Sequence, residues 1–301
     1  MGFDITRNYP DLATCESRTA ATCVYGLAAA GTAQTPAHVQ ACTAAYPSES
    51  CTDFFDDDPV AACVPPAGSL MTGAACGASG QCASTYCAIA DDQVCGTCQP
   101  LPAAGAPCQV QADCGRDLAC AIPTGADGGA GSCAPFGAAG ATCLTGVAPC
   151  AAGLSCVGDD VATSTMGTCK ASGASVGTAC DATRKTAAAC DSDIGLVCIP
   201  TAKGSGVGTC QKIQLAGAGE PCGDIGAAPI TGFAVCQDGG QCVKTSPTAT
   251  MGVCAGAAAD GSACDNDPSK GPPCLPPAKC VPTGTGTTAG TCTPPNATKC
   301  M

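Results

Sequence analysis

The chain has 301 residues, of which 31 are Cys, 40 Gly, 24 Pro and none Trp, and its formal net charge is −12 from 24 acidic and 12 basic residues. Ala and Cys supply most of the nominally apolar fraction; Leu, Ile, Val and Phe together number only 39, so apolar burial cannot offset the conformational entropy of a chain this long and a single large core is excluded. With no Lys/Arg cluster, nucleic acid and anionic membrane surfaces are poor candidates as partners, and one His with nine aromatics leaves little for acid–base chemistry or cofactor stacking.

Residues 1–66 form the first region, read as a small helical head of two to four short helices. Pro10-Asp11-Leu12 opens a segment with Leu12, Cys15, Thr19, Cys23 and Leu27 at near-helical spacing, ended by Gly31. Thr35-Pro36 is a cap-plus-proline start for a second helix through Val39, Cys42 and Tyr46, stopped by Pro47. Ser48 or Ser50 caps a third through Cys51, Phe54 and Phe55. Cys15, Cys23, Cys42, Cys51 and Cys63 are expected to staple this head, which holds three of four Tyr and three of five Phe and is expected to be the nearest thing to a core.

From residue 73 an internal repeat takes over. The cysteines fall into six groups of four: Cys76, Cys82, Cys87, Cys98 in module 1 (73–99); Cys108, Cys114, Cys120, Cys133 in module 2 (105–134); Cys143, Cys150, Cys156, Cys169 in module 3 (140–170); Cys180, Cys190, Cys198, Cys210 in module 4 (177–211); Cys222, Cys236, Cys242, Cys254 in module 5 (219–255); and Cys264, Cys274, Cys280, Cys292 in module 6 with the tail (261–301). A Gly lies three residues before each first Cys (Gly73, Gly105, Gly140, Gly177, Gly219, Gly261). Another lies two before each fourth (Gly96, Gly131, Gly167, Gly208, Gly252, Gly290). The third-to-fourth gap stays at 10 to 12 residues while the first-to-second gap ranges from 5 to 13, so the constant gap marks the built element. Its weakly apolar flanks and Gly/Thr/Ser-rich middle predict a β-hairpin with the third and fourth Cys on adjacent strands, the second Gly giving close backbone approach or a bulge. The expected bridges run first to third and second to fourth, one of three connectivities that four cysteines allow. Short connectors predict an elongated, quasi-one-dimensional array in which each module touches mainly its neighbours.

The fold class expected is therefore small and disulfide-rich: a stapled helical head followed by a linear array of six four-Cys hairpin modules. Tyr9-Pro10-Asp11-Leu12-Ala13-Thr14-Cys15, Thr35-Pro36-Ala37 through Ala41-Cys42, Ser50-Cys51-Thr52-Asp53-Phe54, and Gly73-Ala-Ala-Cys76 with Gln81-Cys82-Ala-Ser-Thr-Tyr86-Cys87 resemble a family of exported cysteine-rich proteins and lipoproteins of myxobacteria, often labelled as containing a Dickkopf N-terminal cysteine-rich domain. The resemblance covers nearly the whole chain and implies export but no activity. Dickkopf domains carry adjacent Cys pairs, this sequence has none, and Wnt-receptor antagonism is not carried over.

Cysteine at this density indicates an oxidising compartment, at the cell surface or outside the cell. The start Met1-Gly2-Phe3-Asp4 lacks a basic and apolar leader, so a removed export signal is expected, and no stretch approaches 18 consecutive apolar residues. Asn296-Ala297-Thr298 fits a glycosylation acceptor. Among candidate chemical groups, Cys95-Gly96-Thr97-Cys98 is read as structural, with Cys95 bridging to the head. Asp56-Asp57-Asp58 and Asp265-Asn266-Asp267 could offer oxygens to a structural Ca²⁺ but lack the EF-hand pattern and read as solvated loops. His38 falls in the first turn of the second helix and is assigned no catalytic role; no catalytic residue, cofactor or metal is implied. The variable first-to-second loops, above all 223–235, are candidate binding surfaces. Cys300 remains over from the even sets and is read as free or bonded to another chain, unless each first Cys pairs backward and the odd thiol falls within 82–108. The function expected is a non-catalytic exported structural protein, a repeat rod that polymerises or binds cell-envelope or matrix components; the alternative is a soluble adhesin, inhibitor or carbohydrate binder acting through the variable loops.

Overall fold

The computed structural model describes residues 2–300 except 57, 109–112, 117, 123–130, 203, 227–229, 247 and 268, and the side chain of Cys51 is also outside the description. Four helices precede the modules: α1 (Phe3–Asn8), α2 (Leu12–Ala28), α3 (Pro36–Ala45) and α4 (Cys51–Phe55). The Asp11 side chain caps α2 by accepting from the Thr14 N–H at 2.6 Å, Pro36 occupies the first position of α3, and the Ser50 hydroxyl caps α4 by accepting from the Asp53 N–H at 3.0 Å. The helix starts lie where the caps and proline predict them. Only α1 was not foreseen, a six-residue turn too short to show an apolar stripe.

Five modules are the expected hairpin with one strand added, and module 5 adds three. Module 4 is typical: Ala179–Asp181, Leu196–Pro200 and Val207–Lys212 form an antiparallel sheet whose central strand is the one bearing the fourth Cys. Third and fourth Cys stand opposite each other in all six modules, as Cys198 does Cys210. The first Cys stands opposite the Gly two before the fourth, as Cys180 does Gly208. Bridges run first to third and second to fourth throughout.

The two repeated glycines serve different needs. Gly140, before the first Cys of module 3, has φ +84° and open space around it; its N–H donates to the Cys169 carbonyl at 2.8 Å, so the left-handed turn is what the site demands. Gly167, before the fourth Cys, needs closeness instead. A Cβ there would lie 2.6 Å from the Val157 carbonyl oxygen on the neighbouring strand and 2.7 Å from the Asp159 nitrogen. The corresponding Gly in every other module faces the same carbonyl, one residue after the third Cys.

The core is cystine. Each module buries its own small cluster of half-cystines with one or two Leu, Ile or Ala, and the largest fully buried side chains are half-cystines together with Gln81 and Asp181. The head is not the core expected of it: Leu12, Val24, Tyr46 and Phe54 are all about half exposed, and α2 and α3 bury only Gly26 between them among the described residues. Nor is the head one body. The chain groups into two compact units: unit 1 comprises residues 1–36, 65–100 and 213–301, hence α1, α2 and modules 1, 5 and 6; unit 2 comprises 37–64 and 101–212, hence α3, α4 and modules 2, 3 and 4.

The linear array of modules is as expected, and within unit 1 some contacts also join segments far apart in sequence. The Arg18 guanidinium on α2 donates to both Asp260 carboxylate oxygens at 2.6 and 3.1 Å and, with Nε, to the carbonyls of Leu275 and Pro276 in module 6. The fully buried Gln81 of module 1 accepts from Gly77 and Ala78 N–H groups and donates to the Ala30 carbonyl after α2. The Lys279 ammonium of module 6 donates to the Ala90 carbonyl of module 1 at 3.0 Å.

The leftover sulfurs are also reassigned. Cys300 is not free: it bonds Cys95, so Cys95 does not bridge to the head, and Gly77 lies so close to the tail that a Cβ there would meet Ala297 and the Cys300 sulfur. Among the described residues of the head, Cys42 and Cys63 are bonded to each other, while Cys15 and Cys23, expected as staples, are thiols. Pairing of each first Cys inside its own module removes the alternative of an odd thiol within 82–108.

Candidate functional site

Several sequence candidates turn out to be structural. The C-x-x-C pair is divided, Cys98 bonding Cys82 and Cys95 bonding Cys300, so it offers no dithiol. Groups of three cysteine sulfurs lie at metal-ligating distance in the modules, but these are the cystines themselves, their sulfurs already bonded. In the 265–267 triplet, Asp265 accepts from the Asp267 N–H, and Asp267 accepts from the Ser269 N–H and hydroxyl and pairs with Lys270 at 2.7 Å. Asp56 is buried and accepts from the Ala152 N–H at 2.8 Å; Asp57 lies outside the described residues. His38 sits half-buried in the first turn of α3. The 223–235 segment is not a free loop either: Pro221–Ile225 and Gly232–Cys236 pair antiparallel, and Gln214–Ala216 adds in parallel, giving module 5 a five-stranded sheet.

A different place has the form of a binding site. In unit 2 a cleft of about 430 Å³ is lined by the end of α4 (Phe55, Asp56), by modules 3 and 4 and by the connectors flanking module 3. Its walls include Thr145 from the first-to-second loop of module 3 (144–149) and Arg184 from that of module 4 (181–189), with Phe136, Asp191 and Asp193 beside them. Disulfides Cys143–Cys156, Cys150–Cys169 and Cys190–Cys210 fix these walls from behind. Module 4 is joined to module 3 by backbone, the Gly158 N–H donating to the Arg184 carbonyl, and to the connector between them, where Gly173 N–H donates to the Ala189 carbonyl and the Gly173 carbonyl accepts from Asp191. Ser155 and Ser172 hydroxyls share a hydrogen bond of 2.7 Å in the lining.

Arg184 is the distinctive residue. Its φ of +57° is rare outside Gly and costs of order 1 kcal/mol; its carbonyl is held by the Gly158 N–H at 2.8 Å. The half-buried guanidinium forms no salt bridge among the described residues, though its charge reaches Asp159. Burial pushes the Asp159 carboxyl up, but the closeness of Thr145, whose N–H donates to it at 3.0 Å, and the Arg184 charge outweigh it and hold the group below its ordinary value. The sequence reading named the first-to-second loops but missed these residues. The available signals were weak: two of only five Phe, an Arg in a chain with few, and the Asp191-Ser192-Asp193 run.

Comparison with protein-family models, with curated proteins and with solved structures finds no match. The disulfide framework fits an oxidising compartment, and no helix among the described residues is long and apolar enough to cross a membrane.

Proposed function

We propose that this chain is a non-catalytic exported structural or interaction protein, a disulfide-stapled repeat scaffold of the cell surface or extracellular matrix that associates with itself or with envelope components. The observation that carries this reading is the sixfold cystine core, which gives each module its own covalent centre and leaves the first-to-second segment free to change in length. Such a build keeps its form outside the cell without a large apolar core. The resemblance to exported cysteine-rich proteins of myxobacteria points the same way.

The odd cysteine count supports self-association. The chain has 31 Cys, and among the described residues Cys15 and Cys23 are thiols outside any disulfide. Two such chains can join by thiol–disulfide exchange, the two thiols becoming one disulfide as a small-molecule disulfide is reduced to two thiols. Non-reducing electrophoresis with electron microscopy tests this: linked or filamentous species are expected that collapse in Cys15→Ser/Cys23→Ser, whereas a monodisperse monomer without filaments overturns self-association.

The cleft favours a second reading, a soluble secreted binding module such as an adhesin, inhibitor or carbohydrate binder, because Thr145 and Arg184 come from the variable first-to-second loops. Retention of a ligand by the purified protein distinguishes it, since a purely structural rod retains nothing.

A further inference from the structure

We infer that the cleft of unit 2 binds a neutral polyhydroxylated ligand of the saccharide class; this rests on the second, ligand-binding reading above and names the ligand chemistry of that site. Its volume of about 430 Å³ lies in the range of small-ligand sites. Within it a cationic donor, Arg184, stands among the carboxylate acceptors Asp191 and Asp193, with Phe55 and Phe136 contributing apolar ring surface. An anionic ligand meets Asp56, Asp191 and Asp193 around the one guanidinium, and a cationic ligand must approach Arg184. A sugar hydroxyl both donates and accepts, so it uses acid and arginine together, while its C–H faces cover an aromatic ring. The site is also preorganised: cystines of both modules back its walls, and the hydrogen bond from Gly158 fixes the Arg184 backbone before any ligand arrives, which lowers the ordering cost of binding.

The test probes the full-length oxidised protein on an array of neutral, amino-bearing and uronic-acid oligosaccharides, followed by calorimetric titration of the best binder. Neutral glycans are expected to be retained with little dependence on salt, and Arg184→Gln and Phe136→Ala are each expected to weaken binding at least tenfold while the number of disulfides and the hydrogen-exchange protection of unit 2 stay unchanged. Arg184 holds no salt bridge, so its replacement leaves the fold, and Phe136→Ala gives an independent variant should one fail. Retention of only charged glycans, lost in the same variants and weakened by salt, overturns the neutral-ligand assignment but leaves the binding reading standing. Retention of none overturns the saccharide assignment, and if a pulldown then shows no ligand that either variant loses, the binding reading falls with it.

Discussion

The two units use the same parts, two helices and three modules each, and differ in how the parts are tied. Modules 2, 3 and 4 of unit 2 are consecutive, so neighbouring modules can bond each other's backbone directly, as the Gly158 N–H does the Arg184 carbonyl, and little entropy is spent on bringing them together. In unit 1, modules 5 and 6 are consecutive but module 1 is not next to either in sequence. Module 1 is separated from the other two by more than a hundred residues, and the contacts that hold it are strong ones: the Cys95–Cys300 disulfide across 205 positions, the buried Gln81 and the Lys279 bond. The comparison teaches that chain separation sets the kind of fastening required. Where backbone continuity suffices, a cleft can stay open between modules; where it does not, covalent closure takes over.

The largest expected effect breaks the closure. For a 205-residue loop the chain-entropy expression gives about 5 kcal/mol, and because module bridges inside it already shorten the loop, Cys95→Ala/Cys300→Ala is expected to cost about 3 kcal/mol. The loss should appear in hydrogen exchange as lowered protection in modules 1 and 6 with modules 3 and 4 unchanged. Equal loosening of both units would sink the distinction drawn between them. Next in size is a contrast inside unit 2. Gly167→Ala places a Cβ against backbone that cannot yield and should cost about 2–4 kcal/mol, whereas Gly140→Ala meets no atom and bears only the left-handed conformation, about 1 kcal/mol. Denaturant titration of the two variants reads the difference. Equal losses would mean that the two repeated glycines do one job.

That contrast also marks what the residues disclosed unaided. Both glycine registers, the constant hairpin gap and the caps Asp11 and Ser50 are local signals, carried by a few adjacent positions, and they led to the hairpins, the pairing within modules and three of the four helices. The third strand of each module was hidden because it is only two to five residues long, too short for alternation to show. Cys95 with Cys300, and Arg18 with Asp260, were invisible for another reason: no local spacing encodes a partner more than two hundred residues away. The cleft suffered likewise, since its residues come from positions 55, 136, 184, 191 and 193, and only the fold brings them together.

A smaller effect sharpens the comparison from the side of charge. Arg18 is mostly buried and makes four hydrogen bonds, two of them to Asp260, so Arg18→Ala is expected to cost about 2 kcal/mol, mainly in unit 1. Arg18→Lys should recover little of it, because an ammonium cannot reproduce the paired geometry on the carboxylate while also reaching two carbonyls. Thermal unfolding followed by exchange in α2 and module 6 checks both variants.

The smallest expected effect compares one carboxylate in each unit. Asp181 in unit 2 is buried and accepts from the hydroxyls and N–H groups of Thr183 and Thr186 at 2.6–3.0 Å; these neutral donors hold its carboxyl far below the ordinary range. Asp267 in unit 1 is held equally low, first by the hydrogen bond from Lys270 and then by Ser269, but that pair is open to solvent. Both folded values lie below the unfolded one, so each contribution to stability is fully present above about pH 4, the unfolded carboxylate value, and is lost as pH falls through the folded value. Stability is therefore expected to be flat from neutral pH to about pH 4 for both groups and to decline below it. Salt separates them. Screening weakens the Lys270–Asp267 attraction and should raise the Asp267 carboxyl toward its ordinary value, whereas the threonine bonds around Asp181 carry no countercharge and should leave it where it is. Carboxylate NMR titrations at low and high salt measure both, and a matching salt shift at Asp181 would show that a net charge, rather than four neutral donors, is what keeps it ionised.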